Sequence, residues 1–338
     1  MSPLERINAH KLLCWAMKTL ADLGEKAAIS LLLEGAKTTA AVGPGDDAAA
    51  VDLGSQYLVI STDTVSRASH LPKGMTEWQV GWFAAAVNFS DIAAMGARPV
   101  GLVMAYVLPR DMPFEDLRRI SQGVRDCCAF VGADLLGGDT KEGDSMVIAG
   151  TAIGLVDKDK LLLRRGAREG DLLAVTGPMG SAASGYTALS RGVFAPRSVK
   201  ALLEPQPRTK EGMILSSSGK VTSCMDITDG LAYSIGELSR QGGVGFEVRW
   251  CSIPLGEDVE KVAAKSGVPV EDLVMHFGGD YELLFTVSPD AYDELNEKLG
   301  GRLHVIGRAT GRDNVLIRDG KVVQLDTRGY EHFRRSDA

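Results

Sequence analysis

Between residues 43 and 64 the sequence sets two adjacent carboxylates, Asp46 and Asp47, at the mouth of a glycine turn. A third, Asp63, closes an apolar strand expected at residues 57–61. Carboxylates grouped in this way repel one another unless positive charge stands between them. A hard cation with oxygen ligands, Mg²⁺ first, supplies that charge, and Mg²⁺ is commonly bound together with phosphate. The pattern recurs along the chain. Asp91 follows Asn88-Phe89-Ser90, Asp139 follows Gly137-Gly138, and Asp226-Ile227-Thr228-Asp229-Gly230 adds two more. A single Asp at the start of a loop is ordinarily a cap or a turn residue. Seven of them, nearly all beside Gly, Ser or Thr, point instead to a site for several metal ions and nucleotide phosphates.

Other phosphate-binding signatures fail on inspection. Gly43-x-Gly45-x-x-Ala48, with Asp63 downstream, has the outline of a dinucleotide fingerprint. That turn must open a helix whose N-terminus takes the pyrophosphate; here Asp52-Leu53-Gly54 ends the segment too soon, and Asp46 and Asp47 would face the anion. Ser218-Gly219-Lys220-Val221 lacks the upstream Gly and the following hydroxyl residue of a Walker loop. A net charge of −7 argues against a nucleic-acid binder, but not against phosphate ligands, because a metal supplies local positive charge. The cysteines, Cys14, Cys127, Cys128, Cys224 and Cys251, form no C-x-x-C pair. They suggest neither a disulfide framework nor a zinc ribbon and fit a reducing cytoplasm; Cys127 and Cys128 read as packing. No run approaches the roughly 18 apolar residues of a membrane span, and the apolar core at 12–17 is too short for a signal segment.

The 338 residues, 45% hydrophobic, suffice for two domains. Periodicity predicts helices at 4–23, 25–35, 77–95 and 113–131, a turn and short strand at 43–52, and strands at 57–61, 99–108, 133–136 and 145–156. The strand at 133–136 delivers Gly137-Gly138-Asp139-Thr140 as a turn. A charged, glycine-marked crossing at 157–170 sets a domain boundary, giving domains 1–156 and 157–338. Beyond it come strands at 171–176, 221–226, 244–248 and 281–287, and helices at 180–190, 209–218 and 290–299. Residues 205–207 form a linker, and two helical segments fill 256–276. Asp229 is placed as the N-cap of a helix running to 241. Residues 303–325 form a small meander turned by Asp319-Gly320. Strands and helices mix without regular alternation, so the fold class is α+β rather than doubly wound.

Gly45-Asp46-Asp47-Ala48, Ser61-Thr62-Asp63-Thr64, Val87-Asn88-Phe89-Ser90-Asp91, Gly137-Gly138-Asp139-Thr140, Asp226-Ile227-Thr228-Asp229-Gly230-Leu231 and Gly279-Asp280-Tyr281-Glu282-Leu283 stand in one order. Together with the closing Gly329-Tyr330-Glu331-His332-Phe333, they resemble the thiamine-monophosphate kinase family. The wider superfamily includes aminoimidazole ribonucleotide synthetase, selenophosphate synthetase and a hydrogenase-maturation dehydratase. The resemblance runs from about residue 24 to residue 333. It implies a two-domain aminoimidazole ribonucleotide synthetase-like fold with an N-terminal β-rich dimerising domain and a C-terminal α/β domain. The implied reaction is ATP-dependent phosphorylation of thiamine monophosphate by direct in-line transfer, with several Mg²⁺ ions and no protein nucleophile. The implied metal ligands are Asp47, Ser61, Thr62, Asp63, Asp91, Asp139, Asp226 and Asp229. ATP would meet Gly138, Asp139, Arg164 and Thr228, and the substrate His70, Asp280 and Tyr330. The family carries a Glu where this chain has Gly279. Asp280 is the expected replacement, with capping of the following strand as its other role. A homodimer is implied, with no nucleic-acid or membrane partner. Two alternatives remain: another ATP-using enzyme of the superfamily, and an inactive nucleotide-binding regulator. No Cys or Lys occupies a glycine-rich N-terminal loop, as in selenophosphate synthetase, and no Cys closes the chain, as in the hydrogenase-maturation enzyme. Intact carboxylates speak against the regulator.

Overall fold

The computed structural model describes residues 19–311 and 313–333. Most of the helix expected at 4–23, with Cys14, lies outside the described residues; its described end is the short helix Leu20–Leu23. Residues 39–329 form one compact unit. Residues 19–38 and 330–333 belong to a second, in which the Glu25–Leu33 helix meets the chain's end through Lys26 N, 3.2 Å from Glu331 Oε1.

The first sheet of the larger unit holds β1 (Ala49–Asp52), β2 (Gln56–Ser66), β3 (Arg98–Leu108), β4 (Asp134–Glu142) and β5 (Val147–Asp157), in the order β1-β2-β5-β3-β4. β5 alternates half-buried and buried residues along its whole length, as a strand with one face on a core must. The Glu77–Ala94 helix packs on that sheet, started by a capping box between Thr76 and Gln79. Ala84, Ala85, Ala86, Ala93 and Ala94 are all buried there, as its small-residue interior predicts.

Two strands run further than their sequences suggest. β2 continues to Ser66, so Asp63 lies mid-strand opposite Gly150 rather than at a strand end. The cause is β5, an equally long partner that extends the ladder past the apolar run. β4 likewise carries Gly137-Gly138-Asp139-Thr140 inside the strand, not in a turn. It pairs with β3 in parallel, and a register shift at Leu102/Val103 absorbs Leu136.

The second sheet holds β6 (Leu172–Val175), β7 (Val221–Asp226), β8 (Gly245–Arg249), β9 (Leu283–Val287), β10 (His304–Thr310), β11 (Val315–Arg318) and β12 (Lys321–Gln324), in the order β12-β11-β8-β10-β6-β9-β7. The meander expected at 303–325 is therefore incomplete. β10 and β11 flank β8, β11 in parallel, and only β11–β12 is a hairpin, turned at Asp319 (φ 50°) and Gly320 (φ 74°). A helix at Pro196–Leu203 was not predicted; Pro at its first turn was its signal. The cysteines among the described residues are free, with Cys127, Cys128 and Cys224 buried. Among those residues no helix is long and apolar enough to cross a membrane.

Candidate metal and phosphate site

The loop before β1, the Glu77–Ala94 helix and the end of β7 deliver Asp47, Asp91 and Asp226 to one point. One carboxylate oxygen of each lies within 4.8 Å of the others. Asp63 joins them from β2; its charge adds to the burial that pushes the Asp91 carboxyl well up.

Short polar residues aim these groups. Ser61 donates to Asp91, and Ser90 donates to Asp226 across the two halves. Asn88 Oδ1 accepts from the Asp63 amide at 3.0 Å, while its Nδ2 donates to Ala84 O at 2.8 Å. Asn88 reaches β2 only because its sheet neighbour is glycine. A Cβ on Gly150 would stand 2.3 Å from Asn88 Nδ2.

Positive charge is scarce at this point. Arg164 Nη2 meets Asp47 Oδ1 at 2.7 Å, and Nη1 lies 3.7 Å from Glu237. The Arg164 amide donates to Asp46 Oδ1 at 3.2 Å. Burial, helped by Asp47, pushes the Asp46 carboxyl up to about 6. Burial and Asp47 push Asp226 up to about 8, against the opposing pull of Ser90 and Arg164. Asp63 is pushed up by burial. Asp47 Oδ2 is buried with no hydrogen-bond partner among the described residues. A cluster that is all oxygen, short of positive charge and left with an open lone pair fits a hard divalent cation. Asp47, Asp91 and Asp226 would hold it, with Asp63 beside them. Outside the cluster, Gly43, Gly45, Asp46, Arg165 and Arg240 border a cleft of about 480 Å³.

The turn after β7 is laced to residues 278–282. Ile227 N donates to Glu282 O at 2.8 Å, Tyr281 N to Ile227 O at 3.0 Å, and Gly279 N to Thr228 O at 2.9 Å. A Cβ on Gly278 would stand 1.7 Å from Thr228 O, so the approach requires glycine. Asp229 is not the N-cap expected of it. The Leu231–Gly242 helix is capped by Gly230 at φ 106°, with no side-chain bond. The Asp229 charge is felt instead by Tyr281 and Tyr233.

Asp280 accepts from Gly180 N at 2.7 Å and Ala182 N at 3.0 Å, capping the Ser181–Arg191 helix from 100 residues away in sequence. Burial pushes its carboxyl up to about 7. β9 begins at Leu283, so strand capping is not its role.

Three of the expected side chains in the larger unit bond elsewhere than to the cluster. Thr62 turns its hydroxyl to Gly150 O at 2.7 Å. Asp139 is exposed on β4, 3.4 Å from Lys141 Nζ. Asp63, Gly150, Met104 and Gly138 form one row across the sheet, so Asp139 lies about three strand spacings, or ~14 Å, from Asp63 in the same chain. His70, in the loop after β2, keeps Nδ1 2.7 Å from Ser69 Oγ. Tyr330 belongs to the terminal unit, its ring edge-on to His332. Sequence reasoning assigns no role to Asn88, Ser90, Glu237 or the part-buried pair Arg208–Glu282. Asn88 and Asp91, three apart on a helix, share a face, and that spacing was the available signal.

Residues 45–156 match the N-terminal domain of AIR synthase related proteins, and 168–319 match the C-terminal domain. A thiamine-monophosphate kinase of Methanospirillum hungatei is 36% identical over 287 residues, 85% of this chain and 92% of that protein. One from Synechococcus elongatus is 31% identical over 331 residues, 94% and 98% of the two chains. Among solved structures, AaThiL complexed with AMPPCP and TMP aligns with a TM-score of 0.83 at 27% identity, over 94% of this chain and 99% of that one. The hydrogenase maturation protein HypE of Escherichia coli shares the fold, with a TM-score of 0.70 at 21% identity over 89% of this chain and 96% of that one. By its two matched domains and its relatives along nearly the whole length, the chain is an enzyme of the AIR synthase related family and belongs, within it, to the thiamine-monophosphate kinases.

Proposed function

We propose that this protein transfers the γ-phosphoryl group of ATP to the phosphate of thiamine monophosphate, giving thiamine diphosphate. The observation that carries this reading is the buried meeting of Asp47, Asp91 and Asp226, with an open lone pair on Asp47. Mg²⁺ held there would offset the charge of two phosphates that otherwise repel. The chain's own part is positioning. Ser61 and Ser90 fix the rotation of two carboxylates, Asn88 fixes Asp63, and Arg164 orients Asp47. Thr228 and Asp229 follow on the laced turn. By the family resemblance, His70 is assigned to the phosphate of thiamine monophosphate and Tyr330 to its ring. Asp280, with both oxygens engaged, serves that site through the helix N-terminus it fixes.

A homodimer completes the reading. β1 covers only Tyr57–Ile60 of β2, and the outer edge of β4 has no partner among the described residues. Leu136 on β4 and Val103 on its neighbour β3 are exposed. Open edges of this kind invite pairing with another chain. A second copy bringing its β4 to the free edge of β2 would carry Gly138, Asp139 and their ATP contacts towards Thr62 and Asp63, a gap of about 14 Å that one chain cannot close. The function is tested by following ATP consumption with thiamine monophosphate and, separately, with an aminoimidazole ribonucleotide precursor. Turnover with the first alone is expected; turnover with the second alone refutes the assignment.

A further inference from the structure

Arg208 stands at the head of the Thr209–Ser218 helix, and its guanidinium grips the Glu282 carboxylate twice, through Nε at 2.7 Å and through Nη2. Glu282 is buried, and Thr176 Oγ1 also donates to it at 2.7 Å. The carboxylate fits because residue 177 is glycine; a Cβ there would stand 2.3 Å from Glu282 Oε1. Burying two charges gives little net stability, since a well-packed apolar pair of similar volume commonly does as well. What the fork adds is direction, because two parallel bonds fix the plane of the carboxylate.

Each partner is rooted beside one of the clustered carboxylates. Glu282 O accepts from Ile227 N at 2.8 Å, and Tyr281 N donates to Ile227 O at 3.0 Å. Residues 281 and 282 thus bracket the residue that follows Asp226. Tyr281 is held there at φ 51°, a conformation that bulky residues avoid and that fixed flanks maintain. On the other side, the helix headed by Arg208 lies against the end of the Glu77–Ala94 helix. A Cβ on Gly212 would stand 2.2 Å from Ala93 O, two residues beyond Asp91. A path from Asp91 through that helix contact, Arg208, Glu282 and Ile227 therefore returns to Asp226. It runs alongside the direct bond from Ser90 to Asp226. A single bond to a carboxylate oxygen permits pivoting about it; a second tie through the backbone does not.

We propose that Arg208 is a positioning residue for phosphoryl transfer, which through Glu282 sets the end of β7 so that Asp226 and Asp91 can share one divalent ion. Its action is through Glu282, not by contact with the ion. This rests on the metal and phosphoryl-transfer reading above. Groups that orient metal ligands from outside are commonly worth about 10–100-fold in affinity or rate.

The test compares two variants of the full-length protein with wild type. Arg208→Lys keeps the charge and loses the fork. Arg208→Met combined with Glu282→Met fills the space without charge. Three quantities are read: Mn²⁺ affinity of the nucleotide-free protein by calorimetry, kcat with thiamine monophosphate, and the melting temperature of the metal-free protein. Each variant should bind Mn²⁺ at least about tenfold more weakly and lose at least about tenfold in kcat, while the double variant melts within about 5 °C of wild type. Mn²⁺ affinity within about twofold of wild type in either variant overturns the proposal, because a purely structural pair would lower stability and leave metal affinity alone. If the double variant does not fold, Arg208→Lys decides by the same criterion. Wild-type protein that takes up no Mn²⁺ overturns the metal reading and this role together. Wild-type protein that binds Mn²⁺ without turning over thiamine monophosphate removes the assigned acceptor only, and the Mn²⁺ affinities still decide the role of Arg208.

Discussion

Replacing Gly150 by Ala probes how the acidic cluster is supported. The new methyl would stand 2.3 Å from Asn88 Nδ2 and 2.6 Å from its Cγ. Asn88 is fully buried between Ala84 O and the Asp63 amide, so it has no free space to enter. Overpacking of this kind costs about 1–3 kcal/mol. Losing the Asn88–Asp63 bond adds about 1 kcal/mol. The total of about 2–4 kcal/mol corresponds, in a chain this long, to a melting temperature lower by about 3–8 °C. The displaced Asn88 releases Asp63, so kcat should fall at least about tenfold, since small misplacements at a reacting centre are costly. Gly154→Ala is the control. Its methyl meets Ile92 Cγ2 at 2.8 Å and Ala97 Cβ at 3.0 Å and touches none of the residues that aim the carboxylates, so it should lower stability while kcat holds. Scanning calorimetry and a coupled ADP assay read both effects. A Gly150→Ala protein with wild-type melting temperature and kcat would refute the account of Asn88 as the strut of Asp63.

Asp63→Asn and Asp139→Asn should each abolish turnover and leave the fold intact. Mixing the two inactive proteins should restore part of the activity if the site is built across a dimer, and sedimentation should give a species twice 36.0 kDa; a lasting monomer excludes the shared site. The carboxyls of Asp63, Asp91 and Asp226 are raised above their unfolded values. Their contribution to stability is therefore full below the ordinary carboxylate range of about 4 and is lost as pH rises through the folded values, for Asp226 about 8. The metal-free protein should melt progressively lower from pH 5 to pH 8, and added Mg²⁺ should raise the melting temperature more at pH 8 than at pH 6; an equal rise at both would contradict this. Asp280→Ala removes two amide acceptors from the Ser181–Arg191 helix and should cost about 1–3 kcal/mol of stability in calorimetry. KM for ATP should stay within twofold, and a changed KM for ATP without destabilisation would count against the capping role.

What the sequence made legible was local. The Thr209–Ser218 helix and the Val221–Asp226 strand were read to the residue, because each is bounded by its own turn signals. The carboxylates Asp47, Asp91 and Asp226 were legible because each stands beside small residues at an apolar element. The extent of β2 was not, because it is set by β5, about 90 residues away in the chain. Asp280 offered two readings, and it does not cap the strand; it caps a helix that neither reading named, because its partners are amides of a distant segment and no short window contains both. The Arg208–Glu282 pair was invisible for the same reason. The hydrophobic pattern of 303–325 announced strands but could not say that β8 would slide between two of them.

The bond from Ser90 to Asp226 joins a helix rooted in one core to a strand rooted in another, and both residues are buried. Around that joint the facing surfaces carry carboxylates from both sides. Like charges there favour separation, while the two cores favour staying closed. The joint is therefore the line along which the chain is expected to open first. In hydrogen exchange without divalent ions, amides at the end of β7 and in the last turns of the Glu77–Ala94 helix should exchange before those in the middle of β5. Ion loading would then be visible first as silence along that line, before any chemistry takes place.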